Sequence, residues 1–273
     1  MPRGTCTLCR QEKDLVKGHF LPAGSYKPLQ ADRLIVNEPM VITNKRVIQT
    51  SRHITAHAFC AVCEDVFDKG GEAWVLDKLA TLTAFPLRDM VLAAPPVVDE
   101  PNIKGYYCDS ILGFRTEKLV HLAMGIFWKG AARAWNVIDG PLPTLELGPY
   151  EEPIRQFVLG ATPFPQNIHL IAFLDSGTPP FVATTSPRRY RESECHMFGL
   201  YLNGLQYWLF VGKNARAQVG DSCLATAPGH PIFVVHDAGQ FMSAGFGDAA
   251  KGRRISTGVM KTFEAWNALR DKK

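Results

Sequence analysis

Two cysteine pairs constrain this chain more than any other feature of its sequence. Each pair has the spacing C-x-x-C, and the pairs are Cys6 with Cys9 and Cys60 with Cys63. The two-residue gap lets one tight turn present both sulfur atoms to the same ion, and four thiolates match the tetrahedral coordination that Zn²⁺ prefers in structural sites. The sequence therefore predicts one structural zinc site. The alternatives are two unrelated buried pairs or a redox dithiol.

The remaining cysteines do not predict a disulfide framework. The N-terminus has no apolar segment of the kind that a secretory signal needs. No stretch reaches the roughly 18 to 20 uncharged apolar residues that cross a bilayer. We therefore expect a soluble, cytoplasmic protein with no membrane partner, in which Cys108, Cys195 and Cys223 are small buried hydrophobic residues.

Changes in composition along the chain predict three parts. Residues 1–83 contain the cysteine pairs and form the zinc module, in which the second pair opens a helix that Gly70 and Gly71 interrupt. Residues 84–105 hold four prolines and little periodicity, which predicts a linker or a crossover that follows the surface. Residues 106–273 form a larger domain of unknown role.

The larger domain has the pattern of an α+β fold. Apolar residues recur at helical spacing from 115 to 135, which predicts a buried central helix. Two aromatic-rich segments flank Asn203-Gly204, and Asn-Gly between such segments is the strongest local signal for a β-hairpin. The second half lacks repeated strand–helix–strand alternation, so we expect an antiparallel sheet packed on the helix. Residues 261–272 have the pattern of a terminal amphipathic helix.

The distribution of charge is compatible with a polyanionic partner. The formal net charge is only +4, but residues 1–63 hold nine Lys/Arg against four Asp/Glu, and residues 251–273 hold seven against two. Basic ends on an acidic body can contact phosphates, although they also serve solubility. Arg188, Arg189 and Arg191 are the candidate nucleic-acid contacts, in a segment that we expect to be an exposed loop. The aromatic residues between 198 and 210 either stack bases or belong to the core, and their alternation favours the core.

The zinc module resembles a known family. Between the cysteine pairs lie His19 and Pro22, in the pattern His-x-x-Pro, and Glu64 follows the last cysteine directly. This arrangement resembles the HNH-type treble-clef nucleases, in particular their four-cysteine, endonuclease VII-like branch. It is even more similar to a bacterial subgroup with Ser-His-x-x-Pro and Cys-x-x-Cys-Glu. The resemblance covers residues 6 to about 75 and implies a treble-clef module.

The resemblance also implies a metal-dependent endonuclease that hydrolyses phosphodiester bonds. In that family the histidine is the general base, and an Asp and an Asn bind one divalent ion on the scissile phosphate. Carried over, His19 would be the base, and Glu64, at the position of the Asn, would bind Mg²⁺ or Mn²⁺ through a hard carboxylate oxygen. Gly18 stands where the family has the metal-binding Asp.

Several interpretations therefore remain open. His53, His57, Glu12 or Asp14 would complete a rearranged site, and Glu72 would either contact that site or cap a helix. The alternative to a nuclease is a non-catalytic, zinc-stabilised module that binds nucleic acid or protein. A third interpretation assigns the role to the C-terminal domain, which would also bind a protein partner or a second copy of the chain.

Overall fold

The computed structural model describes residues 1–30, 39–43, 45–190, 195–236 and 238–261. The terminal helix expected at 261–272 therefore lies outside the described residues, apart from its first position. No helix in the described ranges is both long and apolar enough to cross a membrane.

The strands of the described residues form four sheets. In chain order they are β1 (Arg3–Thr5), β2 (Glu12–His19), β3 (Met40–Ile42), β4 (Arg46–Gln49), β5 (Thr55–Cys60), β6 (Val98–Glu100), β7 (Ile103–Tyr107), β8 (Asn136–Val137), β9 (Gly140–Pro141), β10 (Ile168–Asp175), β11 (Arg188–Tyr190), β12 (His196–Leu202), β13 (Leu205–Val211), β14 (Pro231–Val235) and β15 (Arg254–Ile255). The strand orders of the sheets are β1-β2-β5, β11-β12-β13-β10-β14-β7-β6, β15-β4-β3 and β8-β9.

The helices cover the faces and ends of these sheets. They are α1 (Ala61–Phe67), α2 (Ala73–Val75), α3 (Pro86–Leu92), α4 (Thr116–Ala132), α5 (Glu151–Val158), α6 (Ala215–Val219) and α7 (Ala238–Ala250). Short 3₁₀ turns lie at Ala23–Tyr26, Pro28–Gln30, Leu76–Lys78, Cys108–Ser110, Gly148–Tyr150 and Gly220–Ser222, and a π-helical turn lies at Asp68–Glu72.

The large sheet confirms the α+β class. All of its strand pairs are antiparallel except β10 with β14. The β12–β13 hairpin turns at Asn203-Gly204, where both residues have positive φ, as the sequence predicts. The buried helix α4 packs on this sheet, and the hydroxyl of Tyr207 donates a hydrogen bond to the carbonyl of Leu119 at 3.1 Å.

The segment at 84–105 joins the large sheet. The sequence predicts a linker or crossover there, but α3, β6 and the start of β7 lie within this range. The strands escaped prediction because β6 is exposed along its length and so lacks an apolar signal. One contiguous buried cluster includes Phe59 of β5, Phe127 of α4 and Leu209 of β13. The division of the chain into three parts stays a prediction.

The helix after the second cysteine pair does not break at Gly70-Gly71, so that expectation is wrong. The chain passes from α1 through the π-helical turn into α2. The two glycines serve a close helix contact instead. A Cβ atom on Gly71 would lie 2.5 Å from the carbonyl oxygen of Lys118 and 2.8 Å from the amide nitrogen of Leu122. Only glycine lets this turn approach the backbone of α4 so closely.

Substitution of Gly71 by alanine should therefore destabilise the protein. We expect Gly71→Ala to lower the free energy of unfolding by about 1 to 3 kcal/mol, because backbone atoms must move to admit the new methyl group. The control is Gly245→Ala in α7, where the added Cβ meets nothing within 4 Å. That change should be neutral or stabilising by up to about 1 kcal/mol. Urea unfolding of both variants measures the difference, and equal effects would contradict the packing account.

Candidate metal centre and the adjoining histidine site

The first cysteine pair lies in the turn between β1 and β2. The amide of Cys6 donates to the carbonyl of Gln11 at 2.9 Å, and the amide of Arg10 donates to the carbonyl of Cys6 at 2.8 Å. Arg10 has a φ of 60°, which closes this tight turn in the left-handed region. The amide of Thr7 donates to the carbonyl of Ala58 at 2.9 Å and so holds the turn against β5.

The second pair brings two more sulfur atoms to the same point. Cys60 ends β5, and Cys63 lies in the first turn of α1. The four sulfur atoms all lie within 4.8 Å of one another, and three of the residues are buried. Within the described ranges, no other group of three or more His, Cys, Asp or Glu side chains lies as close together. Four sulfur donors at this separation are consistent with a structural zinc site.

The electrostatics of the four thiols fit a divalent cation. Burial alone would raise the pKa of Cys6, but hydrogen bonds from the backbone of Cys9, Cys60 and Leu8 and from Cys63 together lower it to about 7. Burial and the neighbouring Cys6 and Cys60 raise the pKa of Cys63 well above its ordinary value. One sulfur thus readily carries negative charge while its neighbour resists a second one. A bound Zn²⁺ would remove this conflict, because a coordinating thiol loses its proton.

The turn that holds Cys6 and Cys9 is here called the knuckle turn. His19 is the last residue of β2 and lies at the end of this strand away from the knuckle turn. Its half-buried ring lies 5.3 Å from the ring of His53, measured between centroids, and His53 stacks on Tyr26 at 4.1 Å. Burial lowers the pKa of His19 most, and electrostatic interactions with His53 and Lys129 lower it further, while Glu72 opposes them. His19 is therefore a neutral imidazole at pH 7, which is the form that accepts a proton.

Glu64 extends from α1 over Gly18. A Cβ atom on Gly18 would lie only 1.9 Å from Oε1 of Glu64, so the carboxylate occupies the space that any other residue at position 18 would need. This oxygen is buried and has no hydrogen-bond partner among the described residues. Burial raises the pKa of Glu64, and the charge of Lys129 opposes that rise. Gly18 and Glu64 are thus sterically matched.

Lys129 is a member of this site that the sequence analysis missed. Its side chain reaches from α4 and is only 2% exposed. The ammonium donates to Oε1 of Glu72 at 3.2 Å and to the carbonyl oxygen of His19 at 3.3 Å, and it lies 3.9 Å from the ring centroid of Phe67. The signal in the sequence was a lysine directly after the apolar run Ile126-Phe127-Trp128. Glu72 therefore contacts the site through Lys129.

The other candidate residues lie apart from this group or have different partners. His57 is exposed, and its carbonyl accepts a hydrogen bond from Arg133. Glu12 accepts a hydrogen bond from the hydroxyl of Thr5. Asp14 is exposed on β2 and lines a shallow cleft with Arg3, Lys13 and the start of α1.

The first two arginines of the predicted cluster lie in an edge strand and not in the predicted loop. Arg188 and Arg189 lie in β11, at one edge of the large sheet, and Arg191 lies outside the described residues. The guanidinium of Arg188 stacks on Tyr190 at 4.6 Å. Arg189 bonds to His196 at 2.7 Å and pairs with Glu146 at 3.6 Å. None of these contacts involves the group around His19.

The aromatic residues of the hairpin divide between core and surface. Phe198, Tyr201 and Tyr207 are buried, whereas Trp208 and Phe210 are half-buried. The core interpretation holds for the first three.

Comparisons with protein-family models, with curated proteins and with solved structures found no match.

The cysteine cluster predicts that the protein contains zinc and that loss of one cysteine removes it. We expect the purified protein to hold about one zinc ion per chain, and Cys60→Ser to lose it and to loosen the module, because structural zinc sites contribute directly to folding free energy. The control is Cys223→Ala, a buried cysteine outside the cluster, which should keep its zinc. Elemental analysis and circular dichroism measure both. A metal-free wild type with an unchanged fold would contradict the site.

The buried ion pair predicts a coupled stability effect. Lys129→Met should destabilise the protein by about 3 to 5 kcal/mol, because Glu72 then keeps a charge without its partner. The double variant Lys129→Met with Glu72→Gln should regain part of this loss. The control is Lys118→Met, which removes a similar bond from α4 to a carbonyl, that of Lys69, near the surface. Urea unfolding that shows equal losses for the two lysine variants would contradict the assignment.

Proposed function

We propose that this protein is an HNH-like, metal-dependent nucleic-acid phosphodiester hydrolase whose N-terminal module is organised by a structural zinc ion. The observation that carries the proposal is the placement of Glu64 over Gly18. The carboxylate lies where the β-carbon of the family's missing Asp would be. The helix thus supplies a carboxylate beside position 18, from the position at which the family has its Asn.

In this proposal His19 is the general base. Its ring is half-buried, carries a lowered pKa, and has no hydrogen-bonded protein partner within the described ranges. A neutral, unengaged imidazole is suited to take a proton from an attacking water molecule. The hydrogen bond from Lys129 to the carbonyl of His19 fixes the backbone that bears this ring. These two features support a role for His19 as a proton acceptor whose backbone is held in place.

Glu64 would hold the divalent cation. Its Oε1 atom is buried without a partner, and a carboxylate oxygen is a ligand that Mg²⁺ and Mn²⁺ prefer. Mg²⁺ often uses only one or two carboxylates and completes its coordination with water and phosphate oxygens. When bound, such an ion stabilises negative charge on the phosphate and on the leaving oxygen. Glu72 is less available, since Lys129 already neutralises it.

A phosphate substrate would find an exposed cation near His19. Lys17 is exposed on the same strand and lies near enough to lower the pKa of His19, whereas the ammonium of Lys129 is buried and paired with Glu72. We further propose that Arg188, Arg189 and Arg191 contact nucleic acid at a distance from the site. Arg188 and Arg189 are exposed on an edge strand. Such contacts would add affinity without base specificity.

A second candidate function is a non-catalytic, zinc-stabilised module that binds nucleic acid or protein. The ion pair between Lys129 and Glu72 favours it. The ammonium group of Lys129 lies beside Glu72 and Glu64 and supplies positive charge there without any metal. It therefore reduces the attraction of these carboxylates for a divalent cation. In this alternative Glu64 and His19 are structural.

The nuclease proposal predicts a specific pattern of variants. His19→Ala should lower divalent-metal-dependent cleavage by about 10² to 10⁴-fold, because a general base is lost. Glu64→Gln should lower activity by weakening the binding of Mg²⁺ or Mn²⁺, so raised metal concentration should restore part of it. The control is His57→Ala, an exposed histidine on the neighbouring strand, which should remain active. Cleavage of single- and double-stranded DNA and RNA is the measurement.

The pH dependence of cleavage gives an independent check. Because the pKa of His19 is lowered from its usual value near 6.5, the imidazole stays neutral to a lower pH than an ordinary histidine does. The acid limb of the rate profile should therefore fall below pH 6.5, and His19→Ala should abolish that limb. An inactive wild type across all four substrates, with no Mn²⁺ bound beside Glu64, would contradict the nuclease and leave the binding module.

A further inference from the structure

An arginine from the larger part of the chain reaches the knuckle turn of the cysteine cluster. Arg155 lies in α5, and its side chain is only 8% exposed. Its Nη1 atom donates a hydrogen bond of 2.6 Å to the carbonyl oxygen of Leu8. Leu8 lies between Cys6 and Cys9 in sequence and is fully buried. The guanidinium group therefore contacts the turn that presents the first pair of sulfur atoms.

A network of charges holds this guanidinium in place. Glu152, one turn earlier on α5, accepts bonds from Nε at 2.9 Å and from Nη2 at 2.6 Å of Arg155. The same carboxylate accepts a hydrogen bond of 2.6 Å from Arg10, which directly follows Cys9. It also accepts a hydrogen bond of 2.8 Å from the side-chain amide of Gln156. Two arginines thus converge on one carboxylate beside the knuckle turn. The planar, bidentate geometry fixes the direction of the remaining donor toward Leu8.

The charge of Arg155 also acts on the cluster itself. Its hydrogen bonds to Glu152 raise the pKa of Arg155 most, and the Cys9 sulfur, when ionised, raises it further. Four thiolates around one Zn²⁺ leave an excess of about two negative charges, since each thiolate carries one. A buried cation close to this excess stabilises the loaded centre, because the interaction is weakly screened away from water.

We propose that Arg155 is a positioning residue of the metal centre, which fixes the Cys6–Cys9 turn in its ligating geometry and offsets the charge of the loaded cluster. This inference rests on the zinc-binding part of the proposed function and is independent of the nuclease part. It makes retention of the metal depend on α5, which lies outside the module that the cysteines define. The larger part of the chain thus contributes to the centre although it supplies no ligand.

The test is the rate at which the protein loses zinc to a chromophoric chelator in excess. Groups that hold and orient metal ligands typically contribute 10- to 100-fold in metal affinity. We expect Arg155→Met to release zinc at least about 10-fold faster than the wild type. Arg155→Lys should be intermediate, because an ammonium keeps the charge and loses the bidentate hold. Glu152→Gln, which keeps the arginine and weakens its orientation, should release zinc a few-fold faster.

The matched control is Arg133→Met. Arg133 also lies outside the module and bonds to one of its carbonyls, that of His57, but it does not contact the knuckle turn. It should release zinc at the wild-type rate. All rates are compared at the same interval below each variant's melting temperature, so that a general loss of stability does not imitate the effect. Glu152→Gln provides the answer if Arg155→Met fails to fold.

The outcomes separate the inference from the proposal beneath it. If the wild type holds zinc and Arg155→Met and Glu152→Gln release it at the wild-type rate, the role of Arg155 is overturned and the zinc site stands. If Arg133→Met accelerates release as much as Arg155→Met, the effect is general and the role is again overturned. A wild type that neither contains nor takes up zinc overturns both.

Discussion

The convergence of four sulfur atoms is the interaction on which the N-terminal part of the structure depends. It joins the β1–β2 turn to the end of β5 and the start of α1, and it adds to the hydrogen bonds that the amides of Thr7 and Cys60 make between the turn and β5. The same strands and helix carry the functional candidates. His19 ends β2, and Glu64 follows Cys63 directly in α1. Any force that holds the cysteines together therefore also fixes the elements that carry His19 and Glu64.

The larger part of the chain completes this arrangement. Lys129 of α4 bonds to Glu72 and to the carbonyl of His19, and Arg155 of α5 bonds to the carbonyl of Leu8. The tip of the β12–β13 hairpin adds a third contact, since the side-chain amide of Asn203 donates to the carbonyl of Ser25 at 2.7 Å. Each of these bonds crosses from one part of the chain to the other. The module and the large sheet consequently share one core.

The sequence predicted the features that local chemistry dictates. The cysteine spacing indicated the cluster, Asn203-Gly204 indicated the hairpin, and helical periodicity indicated α4. The features that it missed depend on distant partners. In the sequence Lys129 is a charged residue with no evident partner, because Glu72 and the carbonyl of His19 come beside it only in the folded chain. Gly70 and Gly71 read as a helix break, because nothing local reveals the backbone of α4 against them. The same limit applies to β6, whose exposed residues lie in a strand only because β7 pairs with them.

We expect a metal at the cysteine cluster to stabilise the strand that carries His19 and the helix that carries Arg155 as one unit. Hydrogen-exchange mass spectrometry before and after removal of the metal measures this, because exchange reports local opening segment by segment. Removal of the metal should speed exchange in the knuckle turn and in β2 up to His19, and also in α5, where Arg155 loses its partner. If β2 and α5 stay as protected as before, or if exchange is indifferent to zinc, the metal does not organise these elements.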